Sequence, residues 1–295
     1  MVSRPSFDDA RARAVRLSER TSLGVGGAPE LLFEPTSLEE AALVVAACRA
    51  AGVPLRHLGG GYNLLVGDAP IAGAVLATHA LKGLVVHEDR VEAAAGHPFP
   101  DLVRRSVELS IPALPGCPGI PGSVGGVVFM NAGGRFGSVA DALIEVMGLD
   151  AEGEPFRRAV RPRDFGYRSS PFSGCLVTGA VFRRDLSLDP KAQRALLDEA
   201  QAWKRRTQPL AARSAGCIFK NPDGPTGARS AGRLIDEAGL KGLTVGGAMV
   251  SRLHANFIVN AGSATSADVE DLIARVREAV HARHGVLLEL EVCRW

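Results

Sequence analysis

The spacing of apolar residues divides the chain into many short strands and a few amphipathic helices. Apolar runs that alternate or stay continuous for a few residues predict strands, and apolar residues recurring every three to four positions predict helices. The predicted strands are 31–33, 55–58, 64–66, 74–78, 84–87, 91–95, 144–149, 176–182, 217–219, 248–251, 257–260 and 286–292. The predicted helices are 38–51, 98–109, 190–206, 230–238 and 266–284, with one short helix within 1–20.

The pattern of predicted elements changes near residue 187. The part before it is rich in strands and glycine turns, and the part after it alternates helices and strands. We therefore predict an α+β protein with a first domain at 1–187, a second at 207–295, and a linking helix at about 190–206. At the start of the second predicted helix, Thr36 with Glu39 or Ser37 with Glu40 forms a capping box.

Composition excludes several classes of function. The 34 basic and 32 acidic residues leave a formal net charge of +2, which gives no electrostatic case for binding nucleic acid or an anionic membrane. No apolar run approaches the roughly 18–20 residues that span a bilayer, and no secretory signal is visible at the start. The five cysteines are scattered, without a Cys-x-x-Cys pair, so we expect no zinc or other metal site, no disulfide framework, and a cytoplasmic location.

The most unusual stretch is 115–134, where glycines recur between three prolines. Glycine accepts a positive φ and lets other groups approach the backbone, whereas proline fixes φ. This pattern predicts a rigid, coiled loop whose free N–H groups form a concave site for a phosphate or pyrophosphate. The alternative is a tight crossover between packed elements.

Two further glycine-rich turns precede this loop, at 21–27 and 59–63. Several such turns suit a long ligand with a pyrophosphate, so a flavin dinucleotide is favoured over a bare nucleotide. None of the turns fits the G-x-G-x-x-G pattern between a strand and a helix, which argues against a Rossmann fold.

Candidate chemistry lies in three other stretches. Cys217, which follows Gly216 and precedes Lys220 and Asn221, has the acidity to act as a proton donor or nucleophile. The alternative is a small buried hydrophobic residue. Arg168 lies in a loop with hydroxyl side chains, which suits binding of a carboxylate or enolate oxygen; the alternative is a surface arginine.

In the predicted strand 286–292, acidic and apolar residues alternate. Glu289 and Glu291 share one face of the predicted strand 286–292, and the leucines and valine share the other. This face is either part of a site or the solvated side of an edge strand.

Taken together, these stretches resemble the family of UDP-N-acetylenolpyruvoylglucosamine reductases, over nearly the whole chain. The shared motifs are Thr21 with Gly26-Gly27, 58–66, 119–126 with 130–133, 167–172, Gln208-Pro209, 216–222, 234–235 with 239–242, 254–260 and 288–292. The compact segment 167–172 resembles the shorter subtype, which lacks an extra substrate-covering insertion.

The resemblance implies a vanillyl-alcohol-oxidase-type (PCMH-type) FAD-binding domain of two lobes, followed by a C-terminal α+β substrate-binding domain. It also implies bound FAD, NADPH as co-substrate, and reduction of the enolpyruvyl ether of UDP-N-acetylglucosamine in peptidoglycan precursor synthesis. The partners are then small molecules, and we expect a monomer.

The resemblance also assigns site residues. Arg168 and Glu291 match the family's catalytic arginine and glutamate, and Cys217 falls where many members have a serine as proton donor. The implied cofactor-binding residues are Gly59, Gly60, Gly61, Tyr62, Asn63, Leu64, Gly119, Ile120, Pro121, Gly122, Ser123, Gly125, Gly126, Asn131, Ala132 and Gly133. The implied substrate-binding residues are Tyr167, Gln208, Lys220 and Asn221.

The chain departs from the family pattern at Tyr62, where serine is usual, and at Ala28-Pro29, whose order is inverted. A bulky ring at Tyr62 must point away from the flavin phosphates, stack on the cofactor, or alter the turn. Two other functions remain open from the sequence: another FAD-dependent oxidoreductase on the same scaffold, and a non-catalytic UDP-sugar or flavin-binding protein.

Overall fold

The computed structural model describes residues 5–12, 15–224 and 228–295. Its helices are α1 (Phe7–Ala12), α2 (Leu38–Ala50), α3 (Phe99–Arg105), α4 (Val124–Phe129), α5 (Pro190–Thr207), α6 (Ala231–Glu237) and α7 (Ser266–His284). Its strands are β1 (Pro29–Phe33), β2 (Leu55–Leu58), β3 (Leu64–Leu65), β4 (Ile71–Ala77), β5 (Leu84–Val86), β6 (Arg90–Ala94), β7 (Gly133–Gly134), β8 (Gly137–Ser138), β9 (Leu143–Leu149), β10 (Pro155–Ala159), β11 (Leu176–Arg183), β12 (Ser214–Cys217), β13 (Thr244–Val245), β14 (Ala248–Val250), β15 (Phe257–Asn260) and β16 (Cys293–Arg294). The mixture of helices and sheets confirms the predicted α+β class. Over the described ranges, no helix has the length and apolar character needed to cross a membrane.

The chain forms two compact units, each built from separated stretches. The first unit contains Met1–Ala14, Glu30–Gly60 and Ala72–Trp203, and the second contains Val15–Pro29, Gly61–Ile71 and Lys204–Trp295. The proposed domain division into 1–187 and 207–295 stays a prediction. These units differ from it because two early segments group with the C-terminal part.

One lobe of the first unit is a three-stranded sheet with the order β1-β4-β2, covered by α2. β2 and β4 run parallel, with Leu55 opposite Ala74. Helix α2 begins where the sequence predicts, because the Ser37 hydroxyl accepts a hydrogen bond from the Glu40 N–H at 3.2 Å. The Glu40 carboxylate in turn accepts the Thr36 N–H at 2.6 Å, which fixes the entry of the chain into the helix.

The other lobe is a five-stranded antiparallel sheet with the order β10-β9-β11-β6-β5. Its core contains the fully buried rings of Phe99, Phe172 and Phe182. The two lobes match the predicted two-lobed organisation. Strand β10 was not predicted, because its sequence Pro-Phe-Arg-Arg-Ala lacks an apolar alternation.

The glycine-rich stretch 115–134 is a loop only in part, because it contains the short helix α4. The N–H groups of Val124 and Gly125 donate to the carbonyls of His97 and Ala95, at 3.0 and 2.9 Å. A Cβ at Gly125 would lie 2.9 Å from the Cβ of Ala95. The expectation of free N–H groups is therefore wrong at these two residues, where glycine and backbone serve close packing.

The second unit is a four-stranded antiparallel sheet with the order β12-β15-β14-β13, packed with α6 and α7. Early residues belong to its core: Leu23, Val25 and Leu65 are buried with residues of the C-terminal part. Helix α7 ends at Gly285, whose φ of 66° is the left-handed conformation that the predicted stop requires.

The predicted strand at 286–292 is wrong. Only Leu290 forms an isolated bridge there, with Phe219, and β16 pairs in parallel with β3 further along. The reason is that the Ile218 carbonyl accepts N–H groups from both Glu291 and Val292, at 2.8 and 3.3 Å, which interrupts a regular ladder.

Candidate active site

The residues expected to form the site are divided between the two units. The first unit carries Gly59, Gly60, Gly119, Ile120, Pro121, Gly122, Ser123, Gly125, Gly126, Asn131, Ala132, Gly133, Tyr167 and Arg168. The second unit carries Gly61, Tyr62, Asn63, Leu64, Gln208, Cys217, Lys220, Asn221 and Glu291. The Gly59–Gly61 turn is the point at which the chain leaves the first unit and enters the second.

In the first unit, Ser123 joins two of the glycine-rich stretches. A Cβ at Gly59 would lie 2.9 Å from the Ser123 hydroxyl oxygen, and one at Gly126 would lie 3.6 Å from it. Ser123 is buried, and its hydroxyl has no hydrogen-bond partner among the residues that the structure describes. A buried hydroxyl between two residues without side chains fits a phosphate oxygen as its missing partner. The site therefore suits the pyrophosphate of a dinucleotide.

The loop before Ser123 has the backbone that the glycines predict. Gly119 and Gly122 have φ values of 66° and 111°, which side chains of L-residues rarely adopt. The Gly122 carbonyl accepts the N–H of Phe99 at 2.9 Å, so the loop is fixed to the start of α3. The coiled course of this stretch agrees with the glycine pattern, and its rigidity stays a prediction.

In the second unit, Gly61 allows two segments to approach closely. A Cβ at this position would overlap the carbonyl oxygen of Arg20, and its φ is 70°. The Gly61 carbonyl accepts the N–H of Ser22 at 3.0 Å, while the Ser22 hydroxyl donates to the Ser214 carbonyl at 2.7 Å. The neighbouring Tyr62 side chain is exposed. Here the glycine turn serves packing within the unit.

The Arg168 side chain is presented by a strained turn. Gly166 and Ser169 exchange backbone hydrogen bonds of 3.0 and 3.3 Å, which leaves Tyr167 and Arg168 as the two central residues. Arg168 has a φ of 55°, although positive φ costs a residue with a side chain about 1–2 kcal/mol. Strain of this kind clusters at functional sites.

Two side-chain contacts fix this turn to the segment after α4. The Arg168 guanidinium donates to the Gly133 carbonyl at 3.1 Å and lies 5.2 Å from the centre of the Tyr167 ring. Asn131, another residue with positive φ, donates from its side chain to the Gly166 carbonyl at 2.9 Å. The side chain of Asn131, which was expected to contact the cofactor, thus supports the arginine turn.

Cys217 ends strand β12 after a bulge. The pairing of β12 with β15 shifts register between Ser214, which lies opposite Val259, and Cys217, which lies opposite Phe257. Gly216, with a φ of 77°, occupies the bulge. Bulges re-aim side chains and are frequent beside active sites. The Cys217 thiol is half-buried and forms no disulfide.

Glu291 lies close to the Cys217 segment and is held at both sides of its backbone. Its N–H donates to the Ile218 carbonyl at 2.8 Å, and its carbonyl accepts the side-chain amide of Asn63 at 3.1 Å. The Asn63 carbonyl accepts the N–H of Cys293 at 3.0 Å. Asn63, which was also expected to contact the cofactor, therefore positions the candidate glutamate.

The surroundings of Glu291 favour the protonated form of the neighbouring Cys293 thiol. Burial raises the pKa of the Cys293 thiol, and the Glu291 carboxylate raises it further, while Lys220 acts in the opposite direction. The ammonium of Lys220 lies 3.8 Å from the carboxylate of Glu289, which is largely exposed. No sequence pattern singles out Cys293, because the parallel pairing of β16 with β3 brings it here.

The other residues expected to bind substrate lie at the ends of elements. Gln208 is half-buried and follows α5, with its N–H donating to the Lys204 carbonyl at 2.9 Å. The Asn221 side chain accepts the N–H of Ala231 at 3.1 Å, at the start of α6. Asn221 therefore has a structural contact of its own.

The sequence analysis did not single out Asn256, which lies within the shared motif 254–260. Asn256 is 3% exposed and forms two side-chain hydrogen bonds to Phe219, next to the cysteine segment. His254 accepts the Asn256 N–H at 3.2 Å, and burial lowers the pKa of this histidine, an effect that Lys241 strengthens. The shared motif 254–260 could have drawn attention to Asn256, but the sequence does not show that its side chain pairs with Phe219.

Two family models match this chain. One, described as the FAD binding domain, matches residues 29–158. The other, described as the C-terminal domain of UDP-N-acetylenolpyruvoylglucosamine reductase, matches residues 208–295.

Similar proteins extend the match over nearly the full length. A UDP-N-acetylenolpyruvoylglucosamine reductase of a Synechococcus strain is 39% identical over 285 residues, covering 95% of this chain and 92% of that protein. The reductase of the same name from Moorella thermoacetica is 40% identical over 282 residues, covering 95% and 91%. The crystal structure of the Thermus caldophilus reductase superimposes with a TM-score of 0.80 at 38% identity, covering 96% of this chain and 98% of that one.

Proposed function

The chain belongs to the UDP-N-acetylenolpyruvoylglucosamine reductase family, and we propose that it reduces the enolpyruvyl group of UDP-N-acetylglucosamine enolpyruvate to form UDP-N-acetylmuramate. Its bound cofactor is FAD and its co-substrate is NADPH. The observation that carries this proposal is similarity over 95% of the chain, which includes both the FAD-binding region and the C-terminal region. The product is a peptidoglycan precursor. We propose that the protein makes it in the cytoplasm, as a monomer.

FAD, when bound, would supply the hydride chemistry that links NADPH to the methylene carbon of the enolpyruvyl group. We assign the cofactor phosphates to the surroundings of the Ser123 hydroxyl, next to Gly59 and Gly126. This buried hydroxyl lacks a hydrogen-bond partner within the described part of the chain, which supports the assignment. The chain's own residues then have three tasks: to stabilise charge, to supply a proton, and to hold the substrate.

Arg168 is assigned to charge stabilisation. Hydride addition to the methylene carbon develops negative charge at the adjacent carbon, which spreads into the substrate carboxylate. A guanidinium held in place beforehand stabilises this charge as it forms, without reorganisation. The strained turn and the hydrogen bond to the Gly133 carbonyl support a preorganised cation.

Cys217 is assigned to proton donation. Its thiol proton moves to the carbon that carries the developing charge, and the thiolate regains a proton from solvent. Each turnover thus consumes one hydride from NADPH and one proton. A thiol is a stronger acid than a serine hydroxyl, which suits it to donate a proton. Glu291, whose backbone is fixed beside Ile218, is assigned to orienting the reacting group.

The UDP-sugar is assigned to Tyr167, Gln208, Lys220 and Asn221. Of these, the Lys220 ammonium carries the charge that an anionic nucleotide sugar requires. Its salt bridge to the exposed Glu289 is long, at 3.8 Å, so an anionic ligand competes with it easily.

The experiment follows the flavin absorbance of the purified protein under anaerobic conditions. NADPH should bleach the absorbance, and the enolpyruvyl UDP-sugar should restore it, whereas UDP-N-acetylglucosamine should not. A colourless protein that still binds the UDP-sugar would favour a non-catalytic binder. Bleaching without recovery by the enolpyruvyl substrate would favour another flavin-dependent oxidoreductase.

A further inference from the structure

One buried side chain, that of Asn256, clamps the backbone of Phe219 by bonding to both its N–H and its carbonyl. The Phe219 N–H donates to the Asn256 side-chain oxygen at 3.0 Å, and the Phe219 carbonyl accepts the Asn256 side-chain N–H at 2.8 Å. Asn256 is 3% exposed, so water does not replace these hydrogen bonds at low cost. Its own carbonyl accepts the N–H of Ile218 at 2.9 Å. Asn256 therefore holds both residues that directly follow Cys217.

The same short segment is held from its other side by the chain around Glu291. The Ile218 carbonyl accepts the N–H groups of Glu291 and Val292, and the Lys220 N–H donates to the Glu289 carbonyl at 2.8 Å. Residues 218–220 therefore lie between Asn256 and the glutamate segment. A movement of this segment would shift the thiol and the carboxylate relative to each other.

The clamp replaces a strand ladder that has ended. Regular pairing of β12 with β15 stops at Cys217, after the bulge at Gly216. A side-chain amide offers one donor and one acceptor side by side, as the N–H and carbonyl of a single strand residue do, so it extends the pairing by one residue. A hydrophobic residue of the same size would leave both polar groups of Phe219 unpaired and buried.

From these contacts we propose that Asn256 is a positioning residue that fixes the thiol of Cys217 relative to the carboxylate of Glu291. This inference rests on the proposed function, in which that thiol donates the proton. Asn256 itself touches no reacting atom in this assignment. Its effect is confined to the half-reaction in which the substrate takes up a proton.

The second unit offers a matched control in the same strand region. Asn260 is 9% exposed, donates its side-chain N–H to the Leu23 carbonyl at 3.0 Å, and accepts two backbone N–H groups on its side-chain oxygen. Asn256→Asp and Asn260→Asp each exchange a donor for an acceptor without a change in shape. They should lower stability similarly, but only the first should disturb the cysteine segment.

The test measures both half-reactions of each variant by anaerobic stopped-flow, with the enolpyruvyl UDP-sugar as the oxidising substrate. For Asn256→Asp we expect reoxidation to slow on the order of 10²-fold, as for a misplaced catalytic group, with reduction by NADPH within about threefold of normal. Asn260→Asp should leave both rates within about threefold. Asn256→Ala serves as a second variant that introduces no charge.

A readout independent of turnover is the alkylation of Cys217 by iodoacetamide in the FAD-loaded protein, followed by mass spectrometry. Cys175, a half-buried free cysteine of the first unit, serves as internal reference. The ratio of Cys217 alkylation to alkylation of the reference cysteine should change in Asn256→Asp and not in Asn260→Asp. Equal slowing of both half-reactions, or rates and alkylation matching the Asn260 variant, would overturn the inference. Failure of the proposed function is distinct, because the unsubstituted protein would then not be reoxidised by the enolpyruvyl substrate.

Discussion

Exchange of Arg168 for glycine separates the function of this residue from its conformational strain. Arg168 has a φ of 55°, a region in which glycine is at ease and alanine is not. Both Arg168→Gly and Arg168→Ala remove the hydrogen bond to the Gly133 carbonyl and the contact with the Tyr167 ring. These losses therefore cancel when the two variants are compared. The difference in their stability then reports the cost of the positive φ.

The size of the difference follows from two opposing effects. Relief of the positive φ favours glycine by about 1–2 kcal/mol. The greater freedom of glycine in the unfolded chain opposes this by about 0.4–1 kcal/mol. We expect Arg168→Gly to have a free energy of unfolding about 0.8 kcal/mol above that of Arg168→Ala, which is the difference between the midpoints of the two ranges. Both variants should reoxidise slowly with the enolpyruvyl substrate, since both lack the guanidinium.

The assay is urea unfolding at one fixed excess of FAD, because bound ligand itself adds stability. Ser169 provides the control, since it lies in the same turn and is absent from the residues with positive φ. There the order should reverse, with Ser169→Ala more stable than Ser169→Gly. An Arg168→Ala variant as stable as Arg168→Gly would refute the strain argument, and an unchanged reoxidation rate in either would refute the role in charge stabilisation.

Three further predictions address the thiol, the packing and the pH dependence. Cys217→Ala should slow reoxidation by the substrate about 10²–10⁴-fold and spare reduction by NADPH; stopped-flow rates that fall equally in both steps would argue against proton donation. Gly61→Ala should lower the free energy of unfolding by more than about 2 kcal/mol, because its Cβ would overlap the Arg20 carbonyl at a positive φ. Gly134→Ala, whose new Cβ would have no described atom within 4 Å, should change the free energy of unfolding by less than about 1 kcal/mol in the same urea titration. Burial lowers the pKa of His254 below its usual 6.5, so below that pH the unfolded chain binds a proton that the folded chain does not. Stability should therefore fall as the pH drops below 6.5, and thermal unfolding of His254→Gln should show a weaker pH dependence.

Local chemistry made much of the fold predictable. Helix α2 starts at the predicted residue because the Ser37 hydroxyl and the Glu40 N–H are neighbours in sequence, so nothing distant decides the cap. The strand at 286–292 failed for the opposite reason. Its alternating leucines and glutamates have strand character, but the Ile218 carbonyl, far away in sequence, accepts two successive N–H groups and ends the regular pairing.

The candidate site shows the same division. Motif resemblance identified Arg168, but its positive φ cannot be read from a sequence, because arginine gives no sign of a left-handed backbone. Asn63 and Asn131 carried motifs expected to contact the cofactor, and the structure assigns their side chains to the backbones of Glu291 and Gly166. An asparagine amide suits either task, and only its neighbours decide.

The hydrogen bond from Asn63 to the Glu291 carbonyl joins residues that are 228 positions apart. The position of the candidate glutamate therefore depends on a contact of high sequence separation, whose loop-closure entropy is lost before the contact can stabilise the chain. We expect this part of the second unit to become ordered late in folding, after the local helices and turns have formed.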